Sequence, residues 1–170
     1  LSPAFEGLHD IYIPTYRPTR QPIPLTQVDE RIGTTAINID PSKIVGIVFN
    51  SELHDSPSTV TAPDDETQAI ANHLIAFFEK EVAEERLPKN LGPLQAGIGS
   101  IANAVLTGLK DSNFEDLIMY SEVLQDCTFE LIDAGKMKFA SGSSITLSAK
   151  YGEKVFNNLE AYKDKLVLRP

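Results

Sequence analysis

The sequence holds one cysteine, no tryptophan, and only 15 lysines and arginines against 24 aspartates and glutamates. A single thiol, Cys127, excludes an internal disulfide and fits a reducing, intracellular compartment. It is a poor nucleophile candidate, because a lone Cys that follows an acid and precedes an apolar stretch has the pattern of a small core residue. With a formal charge of −9 there is no basic stripe to release counterions from a phosphate backbone, so no nucleic-acid partner is expected. No uninterrupted apolar run approaches the roughly 20 residues a bilayer requires, and no charged-then-apolar leader opens the chain, so neither a spanning helix nor a membrane partner is expected. His73 has no second His or Cys at ligand spacing, which predicts no metal.

What is present fits one α/β domain: 170 residues, 42% hydrophobic and 23% charged, enough to enclose a core. The first residue is Leu1 rather than Met and "DKLVLRP" closes on an apolar strand pattern, so a piece of a longer protein is expected. In "IYIPTYRPTRQPIP" the prolines at 14, 18, 22 and 24 forbid helix and predict an extended connector, with Arg17 and Arg20 solvated. "KIVGIVFN" (43 to 50) reads as a β-branched strand. "DDETQAIANHLIAFFEKEVAEERL" reads as an amphipathic helix with Ile70, Leu74, Phe77, Phe78 and Val82 on its apolar face and acids in its first turn. From residue 91 the pattern becomes strand, glycine turn, helix, strand. "GPLQAGIG" ends in Gly97-Ile98-Gly99, "SIANAVLTGL" is a helix with Ile101, Ala104, Val105 and Leu109 inward, and "DLIMYSE" is the next strand. Such a β-α-β unit is parallel and right-handed. "DCTFELIDAGK" is a helix stopped by Gly135, followed by "MKFASG" and a further helix in "SAKYGEKVFNNLEAY". The expected fold is a mostly parallel sheet flanked by helices.

One residue breaks the apolar pattern. Glu122 stands between Leu117 to Tyr120 and Val123-Leu124, and a carboxylate taken out of water costs several kcal/mol unless it is solvated, paired or employed. Both the glycine turn and Glu122 fall at the carboxyl ends of strands, the edge where open α/β sheets bind ligands. The helix beginning at Ser100 aims unsatisfied N–H groups at the same crevice. A glutamate there can act as an oxygen nucleophile toward a thioester, with the Ile98 amide as oxyanion donor. The same residues also suit a turn that cradles a phosphate beside a merely solvated acid, and Asn103 at the helix start fits ligand contact, capping or packing alike. His9, Tyr12 and Arg17 fit either an acyl-pocket wall or a plain connector. Ser143 and Ser144 read as loop or cap residues with no nearby base.

"LQAGIGSIANAVLTGL" (94 to 109) and "MYSEVLQDCTFELIDAGK" (119 to 136), with "FEGLHDIYIP" and "RIGTTAINIDPSKIVGIV", resemble the acetyl-CoA hydrolase/transferase family of class I CoA-transferases, which includes succinyl-CoA:acetate CoA-transferase. The likeness implies a CoA-transferase-like lobe. Residues 1–42 would be the connector and the end of an amino-terminal lobe, and 43–170 the first part of the catalytic lobe. It implies Glu122 as the residue that becomes a glutamyl-CoA thioester, Ile98 within the oxyanion hole, and Gly97, Gly99, Ser100 and Asn103 around the CoA or acyl group. The partners implied are a short acyl-CoA and a short carboxylic acid, with CoA as substrate and no metal or redox cofactor. A homodimer of the full-length protein, mitochondrial in a eukaryote and cytoplasmic in a bacterium, is also implied. Family members are longer and have two related lobes, so a second oxyanion glycine and a substrate asparagine are expected beyond Pro170. Two other readings stand beside this one, a non-catalytic nucleotide- or CoA-binding module and a lobe that serves assembly alone.

Overall fold

The computed structural model describes residues 5–13, 21–50, 56–59 and 63–170. Its four-stranded sheet is built from β1 (Pro93–Leu94), β2 (Leu117–Tyr120), β4 (Met137–Gly142) and β6 (Leu166–Leu168), in that spatial order. Every pairing in it is parallel. Sequential order in space follows from the helical crossovers: α2 (Ser100–Asp111) links β1 to β2, and α3 (Asp126–Asp133) precedes β4. α1 (Asp65–Ala83) packs on α2, and α2 on α3, forming one helical layer. Leu117 and Met119 of β2 point into the core with Leu109, Phe129, Leu131, Ala140 and Leu166. Among the described residues no helix is long and apolar enough to cross a membrane.

The apolar run around Glu122 is two strands with a corner between them. β2 stops at Tyr120, and β3 (Val123–Leu124) pairs in parallel with β5 (Ser144–Ile145) as a separate two-stranded ladder. β4 breaks at the same level, at Ser143, before β5. Both strands therefore turn together, and the residues at the turn leave the ladder. An acid amid apolar neighbours is thus a corner residue, with its side chain exposed.

Four sequence expectations need correction. The predicted strand over 43–50 is absent: Pro41–Lys43 is a short 3-10 helix and residues 44–50 have no regular structure. Val45, Val48 and Phe49 are each more than nine-tenths exposed. A strand needs a ladder, and no described backbone pairs with this segment, so its β-branched residues have propensity without a partner. In α1 the inward face is Ala71, Ile75, Phe78 and Val82, while Ile70, Leu74 and Phe77 lie outward. Both stripes are apolar, so periodicity alone did not separate them. In α2 the buried residues are Ala104, Leu106 and Leu109, and Ile101 is exposed. Finally, the last predicted helix divides into α4 (Ala149–Phe156) and a 3-10 helix over Leu159–Lys165, because the pair Asn157-Asn158 competes poorly for the helical ladder.

Other elements match their signals. Asp64 caps α1, accepting from the Thr67 amide at 2.8 Å. Gly135 follows α3 at φ 72°, the left-handed position that ends a helix. Part of the predicted connector lines the sheet: Leu8 accepts from and Asp10 donates to the backbone of Leu168, the last residue of β6. Pro22 and Pro24 lie in irregular backbone, while Pro14, Pro18, Arg17 and Arg20 fall outside the described residues.

Arg169 ties this outer segment to the sheet. Its guanidinium bonds the Asp10 carboxylate and donates to Ser141 Oγ at 2.9 Å, Val28 O at 3.1 Å and Glu30 O at 2.5 Å. Asp10 in turn accepts from the Ile32 and Gly33 amides at 3.0 and 2.6 Å. The two side chains are only 1% (Asp10) and 11% (Arg169) exposed, so each depends on the other for its charge.

Candidate functional site

The turn and the acid meet at one rim. β1 pairs with β2 as Pro93 with Ile118 and Leu94 with Met119, and the match continues past the ladder. Ser121 Oγ donates to Ala96 O at 2.9 Å and accepts from Ala96 N at 3.3 Å. The next residues along are Gly97 on one chain segment and Glu122 on the other. The parallel register therefore carries both segments out at the same, carboxyl edge of the sheet. Gln125, 7% exposed, closes the arrangement by donating from Nε2 to Gly97 O at 3.3 Å.

Gly99 adopts φ 154° and ψ 163°, a region open essentially to glycine, and so allows α2 to start at Ser100. No side chain caps that helix, which leaves its first amides available to a ligand. Ile98 is 77% exposed. Among the described residues, neither its amide nor the Glu122 carboxylate has a hydrogen-bond partner. Beside the turn, Leu74 and Phe78 of α1 and Ile101 and Val105 of α2 line an apolar cavity of about 560 Å³, within the usual range for small-molecule pockets.

The remaining expected residues are placed differently. Asn103 N donates to Gly99 O at 3.1 Å in the first turn of α2, and its Oδ1 faces Cys127 Sγ at 3.6 Å, so its side chain is engaged between helices. His9 bridges Leu168, three strand spacings from β2, or about 14 Å. His73 is exposed on α1. Among the described residues no three His, Cys, Asp or Glu are placed to hold a metal ion. Ser121, Gln125 and Ser143 were not anticipated as site residues; the signal for the first two was a polar residue inside an apolar run.

Cys127 is buried, and desolvation pushes its thiol up to about 11. At pH 8 its reaction with a disulfide reagent should run about 100-fold slower in the native chain than in the denatured one. Between about pH 9 and 11 the unfolded chain gives up this proton and the folded chain keeps it, so stability should fall as pH rises. Rapid native labelling at pH 8 would contradict the burial.

A parallel sheet with an exposed carboxylate and a glycine turn at its carboxyl edge has the layout of open-sheet α/β proteins, the class whose ligands bind at that edge. No family model matches the chain. It is 50% identical over 171 residues to a protein of Neurospora crassa named acetyl-CoA hydrolase, covering 98% of this chain and 32% of that protein. Proteins of the same name in Candida albicans and Saccharomyces cerevisiae are 47% and 44% identical over 99% of this chain and 32% of theirs. The chain is similar to these acetyl-CoA hydrolases along nearly its whole length and spans about a third of the length of the curated relatives it matches.

Proposed function

We propose that a full-length protein carrying this chain is an acyl-CoA hydrolase or CoA-transferase acting on short acyl-CoAs through Glu122. The observation that carries the reading is the register that sets Gly97 beside Glu122 at the carboxyl edge, in a chain whose relatives are named acetyl-CoA hydrolase. The Glu122 carboxylate attacks the thioester carbonyl, and the oxyanion that forms accepts from the Ile98 amide. Removing one such donor costs about 3 kcal/mol in the transition state. CoA leaves as thiolate, giving a mixed anhydride between Glu122 and the acyl group. The thiolate then attacks the Glu122 carbonyl, expels the acyl group as a free carboxylate, and leaves a glutamyl-CoA thioester. Water hydrolyses that thioester to Glu122 and CoA; in transfer, an acceptor carboxylate attacks it instead and takes the CoA by the reverse steps. Gly97, Gly99 and Ser100 offer close backbone approach and helix amides to the substrate, Asn103 supports the start of that helix, and the cavity by Leu74 and Phe78 accepts apolar parts of the thioester.

Borohydride tests this directly. Incubating the full-length protein with acetyl-CoA and then reducing it is expected to convert the Glu122 side chain to an alcohol, read by peptide mass. An unmodified Glu122 in a working enzyme would remove that residue from the mechanism, and full activity retained in Glu122→Ala would favour a binding module in which the turn cradles phosphate.

A further inference from the structure

Glu122 is held by its backbone rather than by its side chain. Its carbonyl accepts from Ser143 N at 2.7 Å, Ser144 N at 3.2 Å and Ser143 Oγ at 2.8 Å. All three donors come from the β4–β5 corner, which breaks at the same level as the β2–β3 corner. Directly before it, Gly142 leaves no room for a side chain. A Cβ there would lie 2.7 Å from Leu124 Cγ and 3.3 Å from Glu122 O, and Leu124 is fully buried in the core. Gly142 O also accepts from Arg169 N at 2.8 Å, which anchors the corner to the chain after β6.

We propose that Gly142 and Ser143 are positioning residues that aim Glu122 at the acyl carbonyl. This rests on the function proposed above. The physical case is that a carboxylate with no side-chain partner among the described residues has only its backbone to set its direction. A carbonyl bound by three donors cannot rotate without losing them. Ser143 contributes two of those three donors, its amide and its hydroxyl, and so ties the corner most directly to the Glu122 carbonyl.

The experiment is single-turnover formation of the Glu122 thioester in the full-length protein with acetyl-CoA, expressed per folded molecule, beside steady-state kcat and KM. Ser143→Ala is expected to slow thioester formation and kcat about 5- to 10-fold with KM within twofold, and Ser143→Thr, which keeps the γ-hydroxyl, to restore them. Gly142→Ala is expected to cost about 100-fold in the same rate, since a small misplacement of a reacting group is sufficient for that. Should Gly142→Ala fail to fold, the exposed Ser143 pair still decides. Wild-type rates in Ser143→Ala, or a loss only of folded yield, would overturn the clamp while an inactive Glu122→Gln upholds the function. A fully active Glu122→Gln would overturn both.

Discussion

Replacing Glu122 by Gln in the full-length protein is expected to lower kcat/KM for acetyl-CoA by about 10,000-fold or more, the scale of losing a covalent nucleophile. The substitution is nearly isosteric. It alters no hydrogen bond among the described residues, because the carboxylate has none there and the corner is held through the carbonyl. The thermal midpoint should therefore stay within a degree or so of wild type, as for most surface substitutions. Glu122→Asp keeps the charge but withdraws it by one methylene, and is expected to cost about 100-fold, as a misplaced reacting group does. The discriminating pattern is a large kinetic loss with an unchanged midpoint. A Gln variant with ordinary turnover would end the covalent mechanism, and one with a collapsed midpoint would make the residue structural.

The second large effect is on stability. Arg169→Ala removes the cation that pairs, among the described residues, with a carboxylate that is 1% exposed, and breaking a buried pair from one side typically costs about 3 to 5 kcal/mol. Burial also works against the guanidinium's own charge. For a domain of this size each kcal/mol lowers the midpoint by about 2 to 4 °C, so a fall of roughly 10 °C is expected. Arg169→Lys should recover little, since one ammonium cannot reach Asp10, Ser141 Oγ, Val28 O and Glu30 O together. Replacing Asp10 and Arg169 together by apolar residues of similar volume should restore much of the loss, because no charge is then stranded. Equal loss in the single and double variants would show that shape rather than charge holds the segment.

The parts of the fold legible from sequence were those set by local rules. Strand, glycine turn and helix from 93 to 111, the Gly135 stop and the acids in the first turn of α1 each follow from residues within a few positions of one another. The common edge of Gly97 and Glu122 was also readable, because parallel strands present like ends together. What stayed hidden depends on partners far along the chain. Asp10 and Arg169 are 159 residues apart, and nothing local marks either as a pair. Ser143 reads as a loop serine until β4 is seen to break level with β2. The segment 43–50 has every local mark of a strand, yet its state depends on whether another backbone lies alongside. α1 carries apolar residues on two adjoining stripes, and only packing on α2 selects one.

The register between β1 and β2 also limits which changes in length this region can absorb. Leu94 lies opposite Met119, and from each of them three steps lead to Gly97 and Glu122. Substitutions in either link leave that count intact. An insertion or deletion in one link alone would shift its end by a residue, turning the acid toward the opposite face of the sheet or sliding the glycines past it. Length variants should therefore be tolerated around the 3-10 helix Pro41–Lys43, which buries none of its residues, and purged from these two links.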